Sequence, residues 1–420
     1  SSHISWKQKL RRSWGRLDMS YETYRVADLI DEIAMGPFGS NIKVSCFVDS
    51  GVPVLNGSNL EGFSLSEKAF RYVTEEKADS LNKANAHRGD IVITHRGTLG
   101  QIVFIPQDSR YDRYVISQSQ FRVRCNDKVL PEYLVYYFHT PIGQYKLLSN
   151  ASQVGVPALA RPSSTFQQIE VTLPELSIQK RVVEIITTIQ RKIENNQELN
   201  DNLEQQAATY FQELFINNAN PMWQISTISD LGTVVGGSTP SKTKPEYYTN
   251  NGIAWITPKD LSINKSKFIS HGENDITELG LKNSSATVMP KDTVLFSSRA
   301  PIGYIAIASN EVTTNQGFKS VIPYSEIGTA FVYFFLKHSL PVIESAASGS
   351  TFKEISGSAM KNIPAIIPDR NTLDQFNSFC APIFAQQKIL EEQNHSLAML
   401  RDSLLPKLMS GAIDIASIQL

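Results

Sequence analysis

Apolar residues recur at alternating steps of four and three along two widely separated stretches of the chain. In the first, residues 174–215, the stripe is Val182, Ile186, Ile189, Ile193, Asn196, Asn200, Leu203, Ala207, Tyr210 and Leu214, which is the seam spacing of a coiled coil. A shift that carries Val182 onto Phe376 reproduces it as Phe376, Cys380, Ile383, Gln387, Leu390, Asn394, Leu397, Arg401, Leu404 and Leu408, with Asn394 in the position of Asn200. The pattern predicts two long helices of roughly 35 to 40 residues, each a rod of about 55 to 60 Å. TLDQ at 372–375 reads as a capping box opening the second helix, Ser177 as a weaker cap for the first, and Gly411 as a stop. Neither rod can bury its stripe alone.

The same shift, lengthened by a few residues where loops differ, matches the segments before each helix. YRVADLIDEIAMGPFGSNIK (24–43) parallels WQISTISDLGTVVGGSTPSK (223–242), and GVPVLNGSNLEG (51–62) parallels GIAWITPKDLSI (252–263). GDIVITHRGTLGQIVFIP (89–106) parallels KDTVLFSSRAPIGYIAIAS (291–309), and ISQSQFRV (116–123) parallels TTNQGFKS (313–320). GVPALARPSSTFQQIEVTLP (155–174) aligns without a gap to GSTFKEISGSAMKNIPAIIP (349–368). This is a domain-sized duplication, longer in period than a solenoid repeat. Short β-branched or aromatic runs bounded by Gly, Pro, Asn and Asp predict strands of a curved sheet or partial barrel. Segments 131–149 and 329–346 read as short helices packed on it. Tyr133, Tyr136, Tyr137, Phe138, Phe331, Tyr333, Phe334 and Phe335 are expected in the core rather than as base-stacking platforms.

The fold class is therefore α+β, with strand-rich domains at 23–172 and 218–366, long helices at 173–217 and 367–412, and tails at 1–22 and 413–420. A chain of 420 residues with 41% apolar and 19% charged residues suits two or three packed domains. No apolar run reaches the length of about 20 residues that crosses a bilayer, and no secretory leader is evident, so a soluble cytoplasmic protein is expected. Cys46, Cys125 and Cys380 are scattered singly and read as plain thiols, not as a zinc site or disulfide framework. The net charge of -1 gives no global basic field, so any nucleic-acid footprint must be local. The basic stretch 1–18, with no counterpart in the second half, reads as an appended tail or cloning remnant, or alternatively as a segment that touches phosphates.

The chain lacks a P-loop and a nucleophile elbow. Asn220-Pro221-Met222-Trp223 differs by one proline from the base-holding loop of amino-methyltransferases, but no Gly-rich cofactor loop precedes it, and a linker turn is the ordinary reading. Asp90 and Asp292 read as turn residues. What remains is two pairs of matched loops. Loop 36–43, with Ser40, Asn41 and Lys43, and loop 236–244, with Ser238, Thr239, Ser241, Lys242 and Lys244, offer backbone N–H groups, hydroxyls and ammonium groups without bulk. That suits phosphate oxygens, and it equally suits an exposed turn. His95, Arg96 and Thr98, matched by Ser297, Ser298 and Arg299, put an arginine just past a strand end, where it can reach guanine or phosphate or simply cap a turn. Asn56, Ser58 and Asn59 against Thr257, Lys259 and Asp260 are polar positions where sequence readout would diverge between halves.

The order of GGSTPS, the D-x-[VI] strand with its Arg/Gly turn, NQGF (315–318), GSTF (349–352), the IP-x-x-x-x-x-Q helix start and LRDSLLPKLMSGAI (400–413) resembles the DNA specificity subunits of Type I restriction-modification systems. The resemblance covers roughly residues 24–415; the first half departs from it, with SQSQF for NQGF and GVPA for GSTF. It implies two target-recognition domains, one per half of a bipartite double-stranded DNA site, and long helices that pair antiparallel, about a pseudo-twofold axis, as a spacer. It also implies two modification subunits carrying S-adenosylmethionine and motor-nuclease subunits using ATP and Mg, with no cofactor, metal or catalysis in this chain. Outward helix residues such as Arg181, Arg191, Lys192, Lys388, Glu391 and Glu392 would be docking faces or merely solvated charge. A coiled-coil protein scaffold and a degenerate stand-alone methyltransferase or nuclease are the competing classes.

Asparagine at a seam position costs stability but penalises wrong registers. Asn200 and Asn394 are accordingly expected to fix helix registry and with it the half-site gap. Asn200→Leu and Asn394→Leu should therefore change thermal stability or the preferred gap. An unchanged melting temperature together with an unchanged gap would remove that role.

Overall fold

The computed structural model describes residues 21–37, 39–152, 155–349, 353–413 and 415. The basic stretch 1–18, most of both expected tails, Phe38, the side chain of Ser40, and Ser350, Thr351 and Phe352 of the GSTF segment lie outside the described residues. The chain divides into two compact units, Ser1–Arg191 with Leu397–Leu420, and Lys192–Ser396. Each unit thus holds one strand-rich domain and a part of both long helices, so the division falls within the helices and not at their ends.

The helices run Leu176–Gln212 and Arg370–Met409, 37 and 40 residues, and every seam position is buried or half-buried. In the first unit Val182, Ile185 and Ile186 share a core with Leu405, Leu408 and Met409, and Arg401 donates to Gln190 at 2.8 Å. In the second, Asn196 Nδ2 donates to Asn394 Oδ1 at 2.9 Å, Gln387 to the Asn200 carbonyl at 3.2 Å, and Gln375 to the Tyr210 hydroxyl at 2.6 Å. Partner numbers fall on one helix as they rise on the other, so within each unit the helix segments pair antiparallel. Asn394 also donates to the Ile193 carbonyl at 3.2 Å, whereas Asn200 Nδ2 reaches Glu391 at 3.4 Å.

The helix ends differ from the sequence reading. Asp369, not Thr372, caps the second helix, accepting from the Thr372 amide at 3.0 Å and its hydroxyl at 2.9 Å. The Thr372 amide first, then a bond from Trp223 and the Thr372 hydroxyl, hold the Asp369 carboxyl below the usual aspartate range. Ser177 lies inside the first turn of the first helix and donates to Glu175 at 2.5 Å, so it is no cap. Gly411, with φ of 71°, ends the second helix as expected.

Both domains follow one strand scheme. In the first, a sheet ordered Ile30–Met35, Gln120–Cys125, Ile91–Thr94, Ile102–Phe104 is accompanied by a second ordered Arg71–Val73, Val52–Val54, Arg113–Val115, Asn85–His87. In the second domain the first sheet becomes Gly232–Gly236, Lys319–Pro323, Val294–Ser298, Ile302–Ala308, Phe268–Ile269, and the parallel pair Val52–Val54 with Arg113–Val115 becomes Ile253–Ile256 with Thr313–Thr314. A separate ribbon joins the two ends of each domain, Glu22–Arg25 with Glu170–Leu173 and Gln224–Thr227 with Pro364–Ile367. The strands expected as a curved sheet or partial barrel are divided in each domain between these two sheets, because the central hairpin is apolar on both faces. Ile91, Ile93, Ile102 and Phe104 pack toward the helices, while Val92, Val103 and Ile105 meet the second sheet. Val294, Phe296 and Ile307 against Leu295, Ala306 and Ala308 repeat the division. The aromatic residues expected in the core are all buried, on helices Pro131–His139 and Thr329–His338.

Each domain grips its helices through a cation on aromatic rings, with the roles exchanged. In the second unit Lys267, its side chain only 5% exposed, ion-pairs with Glu204 and donates to Gln387 at 2.6 Å. Its ammonium lies 4.1 Å from the Phe384 ring centre and 4.7 Å from that of Tyr333. Glu391 accepts from the Lys267 and Phe268 amides at 2.7 and 3.0 Å, so it is bound into the domain and is not an outward docking charge. In the first unit Phe63 occupies the place of Lys267: Phe104 donates its amide to the Phe63 carbonyl as Ile307 does to that of Lys267. There the helix supplies the cation, Arg401, 4.9 Å from the Phe63 ring. Burial works to raise the Glu204 carboxyl, but Lys267 and Lys337 overcome it and hold the group below the usual glutamate range. Lys267→Ala should cost about 3 to 5 kcal/mol, while Lys267→Met with Glu204→Leu should return to within about 1 kcal/mol of native. Urea denaturation of the full chain measures both, and an Ala variant as stable as the native chain would show the cluster to be energetically idle.

Candidate nucleic-acid interface

Two turns position the loop residues of the first domain. Gly36 lies against the turn 117–120, its amide donating to the Gln120 carbonyl at 2.8 Å, and an added Cβ would sit 1.9 Å from the Ser117 oxygen. Only glycine fits there. The chain then turns through Gly39–Asn41, which places Asn41 and Lys43 in solvent. Beside it opens a cleft of about 330 Å³ lined by Pro37, Ile42, Phe47, Asn56, Arg71 and Gln118, with the Arg71 guanidinium 5.2 Å from the Phe47 ring centre.

Asn56, at that cleft, and Ser58 are exposed, but Asn56 Oδ1 already accepts from the Ser58 amide at 2.9 Å and from the Ser58 hydroxyl at 2.6 Å. Asn59 is fully buried and donates to the Ser66 and Lys68 carbonyls at 3.0 and 2.8 Å. It builds the loop and cannot read a base. Asp260 does the same in the second domain, where it closes a capping box with Thr257 and accepts from the Glu273 amide at 2.8 Å. Lys259 is exposed and paired with Glu273 at 2.6 Å.

At the end of strand Ile91–Thr94, half-buried His95 meets the Gln118 carbonyl at 3.2 Å, and burial, opposed by that bond, pulls its pKa below the ordinary histidine value. It is therefore a neutral imidazole at pH 7. Arg96 forms a backbone bridge with Ala158, and its exposed guanidinium has no hydrogen-bond or ion-pair partner among the described residues. Thr98 is exposed one residue beyond Gly97, whose φ is 90°.

In the second domain an added Cβ on Gly237 would lie 2.0 Å from the Asn315 oxygen, and the Ser238 amide donates to Thr314 at 2.9 Å. The Ser238 carbonyl accepts from Trp255, and the Thr239 hydroxyl donates to Gln316. Ser241, Lys242 and Lys244 are exposed beyond buried Pro240. Ser297 and Ser298, expected beside the arginine as DNA contacts, are instead fully buried, because this strand runs one residue longer than its counterpart. The Ser297 hydroxyl accepts from the Tyr304 amide and donates to the Pro301 carbonyl, each at 2.8 Å. Arg299 emerges after them and pairs with Glu354 at 3.4 Å; Lys319 approaches the same carboxylate at 3.7 Å.

Glu354, Lys319, Gln118 and Gln316 stand beside these loops and are not singled out by the sequence. The gapless alignment sets Ala158 against Phe352, whereas the strand bridges set Arg96 opposite Ala158 and Arg299 opposite Glu354. Asn220–Trp223 forms a turn, with Trp223 donating to Asp369 at 2.9 Å. Among the described residues no cluster of three or more metal-ligating side chains occurs, and no helix is long and apolar enough to cross a membrane.

The geometry is that of a tandem binding protein, two loop-presenting modules of one design within a single chain. The chain belongs to the family described as Type I restriction modification DNA specificity domain, which matches residues 21–205 and again 220–394. It is 43% identical over 162 residues to the Type I restriction enzyme MjaIX specificity subunit of Methanocaldococcus jannaschii, a match spanning 38% of this chain and 37% of that protein. With the HindI specificity subunit of Haemophilus influenzae it shares 23% identity over 405 residues, spanning 78% of this chain and 87% of that one. The crystal structure of a Type I restriction-modification system S subunit from M. genitalium has the same fold, with a TM-score of 0.57 at 15% identity over 94% of this chain and 97% of that one.

Arg96→Ala should lower the magnitude of the salt slope of DNA binding by about one. His95→Gln should leave the slope unchanged at pH 7, since no charge is lost. Titrating full-chain binding against salt checks both, and equal slopes for native and Arg96→Ala would take Arg96 off the DNA.

Proposed function

We propose that this chain is the DNA-sequence specificity subunit of a Type I restriction-modification complex, non-catalytic by itself, in which each recognition domain reads one half of a bipartite double-stranded site. The observation that carries the reading is the duplication itself. The same ladder presents a small-residue loop and an arginine turn twice, with different polar side chains at matched places, in a chain whose two halves both match the DNA specificity family. Two unlike modules in one polypeptide let the half-sites differ, where a symmetric dimer would impose a palindrome.

On this reading the exposed groups Asn41, Lys43, Arg96, Thr98, Lys242 and Lys244 face DNA, with phosphate contacts outnumbering base contacts. The paired helices set the gap between half-sites, and Asn200 and Asn394, through Glu391 and Asn196, hold their register. Two modification subunits bring S-adenosylmethionine and methylate adenine, and motor-nuclease subunits bring ATP and Mg; this chain needs no cofactor of its own.

Methylated adenines mapped in cells expressing this chain with its modification subunit should define a two-part motif with a fixed gap. Exchanging residues 24–150 for those of another family member should change one half of that motif only. A contiguous motif, or none, would overturn the assignment.

A further inference from the structure

The two domains treat their matched arginines differently. Arg96 and Arg299 hold the same ladder position, each forming a backbone bridge to the segment that follows the short helices. Opposite Arg96 stands Ala158, and the guanidinium is unpartnered among the described residues; opposite Arg299 stands Glu354, which pairs with Arg299 at 3.4 Å and with Lys319 at 3.7 Å. Lys319 passes between Gly236 and Gly357, where added Cβ atoms would stand 4.0 Å from its Cδ and 3.8 Å from its Cε. Its ammonium also reaches the Gln316 carbonyl at 3.5 Å, and the Gln316 side chain accepts from Thr239 of the small-residue loop. One half-exposed carboxylate thereby occupies two cations on the loop face of the second domain, and among the described residues nothing equivalent occupies Arg96.

We propose that Glu354 is a specificity-determining residue, an ionic guard that keeps Arg299 and Lys319 from engaging DNA of the wrong sequence. The proposal rests on the DNA-reading assignment above. A phosphate competing for Arg299 must approach Glu354, and like charges repel; a guanine edge offers O6 and N7 as paired neutral acceptors without that repulsion. The guard lowers sequence-independent affinity more than cognate affinity, which is how an opposing interaction raises discrimination. Because a half-exposed ion pair is individually weak, its effect is a modest bias at every non-cognate site. The first domain, with Ala158, binds DNA less selectively at its arginine.

The test measures full-chain binding to a non-cognate and a cognate duplex across a range of salt. Glu354→Ala should tighten non-cognate binding by about 3- to 10-fold, steepen its salt slope by about one to two, and narrow the cognate preference. Ala158→Glu, placed in the other domain, should weaken non-cognate binding and flatten the slope by about one. Glu354→Asp, which keeps the charge, should stay near the native slope. A native chain that binds DNA, with Glu354→Ala and Ala158→Glu both leaving its non-cognate affinity and slope unchanged, overturns the guard and leaves the DNA-reading assignment standing. A native chain with no salt-sensitive DNA binding overturns both.

Discussion

Each domain depends on a hairpin that cannot be left uncovered on either face. Strands Ile91–Thr94 with Ile102–Phe104, and Val294–Ser298 with Ile302–Ala308, carry apolar side chains in both directions. One face needs helices and the other needs a second sheet, and no face is then left over for a ligand. Binding chemistry is confined to where the strands stop. That is why the arginines sit on turns, and why a strand one residue longer in the second domain draws Ser298 fully into the interior while its first-domain counterpart, His95, is only half-buried.

Much of this was legible in the chain. The helices, their seams, the duplication and the buried aromatic residues all follow from periodicity, because burial of a helix face or a strand face imposes a regular spacing that one sequence can display. The candidate site was legible only as a set of loops. Asn59 and Asp260 stand in the sequence at positions where readout would diverge, yet they are the internal braces of their turns, a role any short polar residue can play and spacing does not reveal. Glu354 was hidden because its importance lies in the residue across the ladder, and the gapless alignment sets Phe352, two positions away, against Ala158. Glu391 on the helix reads from its spacing as a docking or solvated charge, and nothing in the sequence marks Lys267; only the packed structure brings them together beside Phe384 and Tyr333.

The exchanged cation contacts bear on how duplicated halves stay distinct. A domain presenting Phe63 asks for a guanidinium on its helix, and a domain presenting Lys267 asks for carboxylate and aromatic groups on its own. Setting Lys267 against Arg401 would bring two cations together in a buried place, which is strongly unfavourable. Duplication supplies two interchangeable docking surfaces, and this divergence makes them selective.

The discontinuity of the first unit has a consequence for how the protein comes into being. Residues 192–396 are contiguous, so the second unit has all its parts as soon as that stretch has left the ribosome. The first unit is synthesised earlier but stays unfinished, with Val182, Ile185 and Ile186 waiting for Leu405, Leu408 and Met409. The domain made first is thus the one completed last, and during that interval its open apolar stripe is where a chaperone or a neighbouring nascent chain would meet it.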